Sequence, residues 1–333
     1  MGNRLLLGAI LCFIAAVSWG AMFPVAHVAF KHVDPFYFTI IRYGSVTVIL
    51  AAILLWKEGK QAFRFEGKGL PLWFFGTMAF TVYNLFIFWG EDLLGEAGIM
   101  SASIMESLMP MISIVIVWLF FKKRPHLFTL ICVLLSFIGA VLVITKGDIG
   151  AFLSTTSHVI PSILIFIAVI GWVIYTMGAG EFRGWSALRY STLSCLLGTA
   201  TAIAVTVGSS LFGAIPVPTG EDIRAVSPHL LFMIIFPGVI ALLGWNIGVS
   251  ILSPLNGLLF INFVPVTTLA ISIFQGNAVT TFDLIGTTFI IVALVSNNLY
   301  VRAKQAKQGS SSKQEAGSHV SLVKQGESSR VSL

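Results

Sequence analysis

The sequence predicts an all-α integral membrane protein whose ten transmembrane helices form two inverted five-helix repeats. Three observations carry that prediction. Mean hydropathy is +0.93, with 56% of the 333 residues hydrophobic and only 10% charged, against about 25% charged in soluble domains. The apolar residues gather in runs long enough to cross the hydrocarbon core. The chain also repeats itself across its middle. A chain this apolar cannot cover its own surface with polar groups in water, which excludes an ordinary soluble enzyme, a disordered regulator and a nucleic-acid binder. The net charge of +6 reads as the loop bias of a membrane protein rather than as a nucleic-acid surface.

The runs lie at roughly 5–28, 36–56, 70–90, 97–121, 127–145, 158–178, 186–212, 229–249, 255–275 and 283–302 by the apolar-run criterion. They are continuous rather than alternating, which excludes a β-barrel. Pro35, Gly69, Pro125, Pro228 and Pro254 stand in the connections, where turn residues belong. The first run contains Trp19 and Pro24 and reads as a span rather than a cleaved leader. With the N-terminus inside, the inner connections hold Lys57, Lys60, Arg64, Lys68, Lys122, Lys123, Arg124 and Arg183. The outer ones hold Lys31, Lys146 and Arg224 among the acids Asp34, Glu91, Asp92, Glu96, Asp148, Glu221 and Asp222. That asymmetry places both termini in the cytoplasm of a multi-pass protein of the cytoplasmic membrane. Cys12, Cys132 and Cys195 lie inside apolar runs, and neither a disulfide framework nor a metal motif is visible, so no cofactor and no metal are expected.

Residues 101–110, SASIMESLMP, align with residues 256–265, NGLLFINFVP; Pro110 and Pro265 coincide. LFTLIC at 127–132 matches TFDLIG at 281–286, and FIAAVSW at 13–19 matches FIAVIGW at 166–172. The second helix of each half carries an Arg-Tyr pair, Arg42-Tyr43 and Arg189-Tyr190. Five is an odd number of spans, so the second copy enters the membrane upside down. Inverted repeats of this kind belong to secondary transporters, in which the two copies exchange conformations to open on either side in turn. The expected organisation is a first five-helix repeat at 1–150, a second, inverted repeat at 151–302, and a disordered cytoplasmic tail at 303–333 rich in Ser, Gln, Lys and Gly.

These features resemble the EamA-type transporters of the drug/metabolite transporter superfamily. The resemblance covers roughly residues 8–300 and rests most on AGIMSASIMESLMPMISIVIVWLFF (97–121), SPLNGLLFINFVPVTTLAISIFQG (253–276) and AVSWGAMFP (16–24). It implies export of small metabolites, often amino acids or related compounds, from bacterial cytoplasm. The family's Gly-Glu after the fourth helix of each half is replaced here by Lys122-Lys123-Arg124 and Gln275-Gly276-Asn277, so no role for that acid carries over.

Charge inside a membrane is costly and marks a cavity or a partner. Glu106, near the centre of the fourth span, reads as a proton-coupling acid or a ligand for a cationic group; the alternative is a static salt bridge with Arg42 of the second span or a hydrogen bond within the bundle. Its repeat counterpart is Ile261. Arg42 offers a substrate carboxylate a partner or has a structural role, and its duplication as Arg189 favours structure. Ser103, Glu106, Ser107, Pro110 and Ser113 share one helical face, as do Asn262, Pro265, Thr268, Ser272 and Gln275. Each proline removes a backbone donor, a break tolerated where helices line a cavity. The two stripes are expected to face one another across a solute pathway, or else to be polar helix–helix contacts. Trp19, Tyr83, Asn84, Trp172, Tyr175, Trp245 and Asn246 complete the candidate lining, suited to apolar, aromatic or cationic solutes.

The resulting expectation is a secondary transporter that exports or exchanges small metabolites by alternating access, with proton coupling through Glu106 and Arg42 left open. Its partners are a small-molecule substrate, the bilayer and, if coupled, protons, with no nucleic acid. The oligomeric state is open, and nothing requires more than a monomer. A channel or uncoupled facilitator is the alternative. An intramembrane enzyme lacks the clustered catalytic residues it would need, and no nucleotide-binding loop is present.

Overall fold

A computed structural model describes residues 2–122, 124–148, 156–276, 279–297 and 299–300. Lys123, Asn277 and the tail expected to be disordered lie outside the described residues. No strand occurs among those described. Among the described residues, seven helices have the length and apolarity to cross a membrane, one bent pair forms an eighth span, and two shorter apolar helices complete ten. They are α1 Gly2–Phe30, α2 Pro35–Glu58, α3 Gly69–Leu94, α4 in two arms Glu96–Glu106 and Met109–Phe121, α5 Leu127–Thr145, α6 Thr156–Gly178, α7 Ala187–Leu211, α8 Gly220–Leu252, α9 Pro254–Gln275 and α10 Thr281–Asn297.

Helix ends follow local chemistry. Asp34 accepts from the Phe36 amide and Pro35 opens α2, a first-turn position at which a missing N–H costs nothing. The start of α8 corrects the sequence expectation. Thr219 and Asp222 form a reciprocal capping box, so the helix begins at Gly220. Glu221, Asp222 and Arg224 sit in its first turns, and Pro228 lies inside it rather than in a connection. Glu91 and Asp92 are also inside a helix, the last turns of α3, which stops at Gly95 with a positive φ of 61°.

The repeats are inverted in space. Gly8 and Cys12 of α1 meet Ile251 and Gly248 of α8, while Trp19 meets Pro237, so α1 and α8 run antiparallel. Gly90 of α3 meets Pro161 and Ile165 of α6, and Gly171 of α6 meets Met78, so α3 and α6 do the same. Each first helix thus lies against the third helix of the other half. Helices α2 and α7 cross at the middle through Thr47 and Cys195. Close approach needs the glycines: a Cβ on Gly198 would lie 2.1 Å from the Gly76 carbonyl oxygen, which fixes the α3–α7 crossing.

Two irregularities recur in both halves. The third helices each contain a π-helical stretch, Met78–Tyr83 in α3 and Ile234–Ile240 in α8. The fourth helices each break before their proline. In α4 the arms bend by 47°, and in α9 a 3-10 stretch Leu259–Asn262 joins Pro254–Leu258 to Phe263–Gln275. Wide turns and breaks inside long helices concentrate at functional sites.

Connections gather at two ends. At the basic end, Ser186 meets Glu58, Lys68 donates to the Glu181 carbonyl, and Arg189 pairs with Glu66. At the opposite, acidic end, Lys146 and Asp283 form an ion pair joining α5 to α10. Asp34 there is half-buried, and burial raises its carboxyl above the ordinary value.

Candidate solute-binding site

The break in α4 leaves Glu106 at the end of its first arm, 1% exposed in the middle of the bundle. Tyr83, at the last position of the π-helical stretch of α3, donates its hydroxyl to Glu106 Oε1. Glu106 Oε2 has no hydrogen-bond partner, nor do the Ser107 hydroxyl and Asn262 Oδ1. Half of the carboxylate is therefore held and half is free.

Five aromatic rings join this carboxylate. Trp172 lies 5.0 Å from Tyr83, 5.0 Å from Trp19 and 5.3 Å from Tyr175 between ring centroids. Trp245 is 5.2 Å from Trp19. The T-shaped and tilted contacts each add about 0.5–1.5 kcal/mol beyond burial, so the box is a rigid wall. Indole N–H groups are used unequally. Trp19 donates to the Pro237 carbonyl in the π-helical stretch of α8 at 3.1 Å, and Trp245 to Thr176 at 3.3 Å. Trp172 Nε1 is buried without a partner.

Toward the basic end, Asn246 donates to the Tyr175 hydroxyl at 2.9 Å and to Ser191 at 2.8 Å. Tyr190 stacks on Tyr175 at 5.2 Å and donates to its carbonyl at 3.0 Å. Beyond this layer opens a cavity of about 230 Å³ lined by Phe182, Trp185, Tyr190, Asn246 and Ser253 among others. Asn246 and Tyr190 thus form the floor of a vestibule, with Tyr175 of the aromatic box directly behind it.

The structure brings Trp19, Tyr83, Glu106, Trp172, Tyr175 and Trp245 into one cluster, with Asn246 attached through Tyr175. Other candidates have local duties. Asn84 donates to the Ala79 carbonyl at 2.7 Å, closing a bond that the π-helical stretch frees. Ser103 donates to Met100, and Ser113 to the Pro110 carbonyl. Pro110 and Pro265 start the second arms of α4 and α9. Asn262 donates to Leu259 while leaving its oxygen free. The second arm of α9 packs on the first arm of α4. Thr268 nevertheless bonds the Gly20 carbonyl of α1, so that part of the α9 stripe is a helix–helix contact.

Arg42 does not pair with Glu106. The ion pairs among the described residues are Lys146–Asp283 and Arg189–Glu66. Arg42 Nε donates instead to the Met233 carbonyl, just before the π-helical stretch of α8, at 3.2 Å, and its guanidinium lies 4.6 Å from the Tyr43 ring centroid. Arg189 likewise bonds Glu66 and lies over Trp185 at 4.0 Å. The sequence missed the vestibule residues Phe182 and Tyr190, and Ser191, which accepts from Asn246 behind them. For Tyr190 the signal was the repeated Arg-Tyr pair at 189–190.

A duplicated five-helix unit with paired breaks invites comparison with known transporters. The model of the EamA-like transporter family matches residues 6–145 and again 159–299. The chain belongs to the EamA-like transporter family. Among EamA relatives, the uncharacterized transporter YrdR of Bacillus subtilis (strain 168) is 52% identical over 306 residues, 92% of this chain and 95% of the relative. The uncharacterized transporter YyaM of the same organism is 24% identical over 86% of this chain and 92% of its own length. A crystal structure of a protein 20% identical in sequence superposes with a TM-score of 0.64, covering 91% of this chain and 99% of that one; this likeness shows the fold. The chain is thus a multi-pass membrane transporter of the EamA family.

Proposed function

We propose that this EamA transporter is a secondary carrier that exports or exchanges aromatic amines or amino acids by alternating access between its two inverted halves. The observation that carries the reading is Glu106, a buried carboxylate with one oxygen held by Tyr83 and the other free, beside an aromatic box. The free oxygen accepts from a solute ammonium group. The ring faces attract the same charge, worth about 2 kcal/mol when desolvated, and stack on an aromatic body. The unpartnered Trp172 N–H supplies a donor for a solute carboxylate. A proton and an ammonium group compete for Glu106, which is the simplest route to proton-coupled exchange.

The charge bias supports a reading in which the basic end, and with it both termini, faces the cytoplasm across the cytoplasmic membrane. The vestibule over Asn246 and Tyr190 is then the cytoplasmic entrance. Arg42 is assigned a structural part in holding α8. The carrier needs no cofactor and performs no covalent step.

Counterflow of radiolabelled tryptophan and tryptamine in proteoliposomes tests this reading. Wild-type protein is expected to exchange at least one of them, and Glu106→Gln to lose uptake driven by a pH gradient. Gradient-driven uptake that survives in E106Q removes the coupling role. Absence of counterflow for both compounds removes the solute class.

A further inference from the structure

The site leaves unused a second buried acid. Glu91, in the last turns of α3 near the acidic end, is 0% exposed. Neither of its carboxylate oxygens has a hydrogen-bond partner. Four helices close around it. One turn back, Phe88 packs against Phe30 of α1 at 5.5 Å and Phe38 of α2 at 6.2 Å. Next to it, Gly90 abuts α6, where an added Cβ would lie 2.6 Å from Ile165. On α4, a Cβ at Gly98 would lie 2.1 Å from the carbonyl oxygen of Glu91 itself.

The ionisable groups that these elements carry near this level are His27, Lys31 and His32 of α1 and its end, Asp34 and, deeper, Arg42 of α2, Glu96 of α4, His158 in the sequence of α6, and Asp92, which follows Glu91 on its own helix. At this level α6 presents Pro161 and Ile165. The Glu91 carboxyl has no hydrogen-bond partner; Arg42 donates through Nε to the Met233 carbonyl and lies against the Tyr43 ring, its two terminal nitrogens left without a partner.

An ionised carboxylate shut away from water and from every donor is far costlier than the neutral acid. The closed arrangement therefore belongs with a proton on the carboxyl. We propose that Glu91 is a proton-binding site that holds the acidic end of the bundle shut. A proton from the solution bathing that end joins the carboxylate and closure follows; its loss requires the carboxylate to reach water, so the four helices part. Closure takes up the proton, so acid favours the closed form and alkali the open one. The proposal rests on the carrier reading only in requiring that this end opens. It is separate from Glu106, which lies eight residues beyond Gly98 on α4, about 12 Å deeper at 1.5 Å rise per residue.

The test uses the full chain in lipid nanodiscs with Cys12, Cys132 and Cys195 replaced by alanine. Nitroxide labels at Val28 of α1 and Ile160 of α6, both exposed toward the acidic end, report the separation of two of these helices by pulsed electron paramagnetic resonance. The wild-type background is expected to give a single short distance in mildly acidic buffer and an added longer one in mildly alkaline buffer. Glu91→Gln and the apolar Glu91→Met are expected to keep the short distance in both, and Glu91→Asp to restore the shift. Infrared spectra are expected to show a protonated-carboxyl band that alkali removes and E91Q lacks. A wild-type distance indifferent to pH, a shift that persists in E91Q or E91M, or an E91Q spectrum matching wild type overturns the proposal. Absence of tryptophan and tryptamine counterflow beside an intact, E91Q-sensitive shift fails the solute reading alone, so failure of solute binding and failure of this lock are told apart.

Discussion

Trp19 and Trp172, equivalent positions in the two halves, touch edge to face with ring centroids 5.0 Å apart. The repeat axis therefore passes close to this contact, yet only Trp19 satisfies its N–H. Trp19→Phe is expected to lower stability by about 1 kcal/mol more than Trp172→Phe, the net worth of one hydrogen bond. Denaturant unfolding in detergent measures the difference. Trp172→Phe is expected to weaken tryptophan binding more than tryptamine binding, because only tryptophan brings a carboxylate.

Tyr83→Phe removes one hydroxyl and leaves both Glu106 oxygens without a donor. Hydrogen bonds to charged groups are worth about 1.5–3 kcal/mol, so solute affinity is expected to fall about tenfold or more. Binding of tryptamine by scintillation proximity reads this directly. Unchanged affinity would remove Tyr83 from the site.

Arg42→Met deletes a buried guanidinium that contacts Met233 and Tyr43 rather than Glu106. Replacing a buried charge by an apolar side chain of similar length is often neutral. Gradient-driven uptake is expected to survive in R42M, with a small change in melting temperature. Loss of coupling with an intact fold would show that Arg42 acts on Glu106 at some other point of the cycle.

Much of this architecture is legible in residues. Apolar runs mark the ten helices, and the match of FIAAVSW to FIAVIGW places Trp19 and Trp172 in equivalent positions before any coordinates. Pro110 and Pro265 announce the two breaks. Glu91 was misplaced because a run criterion ends a span at its first charge, whereas the backbone continues to Gly95, where positive φ stops it. The start of α8 was signalled by Thr219 and Asp222 at capping-box spacing, a local cue outweighed by the charges of the same segment. The π-helical stretches carry no comparable signal. They depend on what faces them, such as Trp19 reaching the Pro237 carbonyl, and that pairing exists only in three dimensions.

Gly198→Ala is expected to destabilise the protein by about 1–3 kcal/mol or more, because its Cβ would meet the α3 backbone. Gly44, on α2, has nothing within 4 Å of a would-be Cβ, and Gly44→Ala is expected to gain about 0.5–1 kcal/mol of helix stability. Melting temperatures of the two variants in one detergent provide the comparison.

Hydrogen bonds from Arg189 and Trp185 hold the exposed Glu66 carboxyl below its ordinary value. A depressed carboxyl contributes its tie above the unfolded value and loses it as pH falls through the folded one. Protection of the amides across residues 59–68 from hydrogen exchange, relative to the intrinsic rate at each pH, is expected to fall in acid. Glu66→Gln is expected to exchange quickly at neutral pH as well.

Ile261 stands where the second half would have duplicated Glu106, and it is fully buried. An assembly of two identical five-helix chains has no such liberty. Its symmetry would bring a pair of like-charged acids to one axis, where each hinders the ionisation of the other. Joining the copies in a single polypeptide lets one half carry a buried acid while its twin supplies only bulk at the matching position.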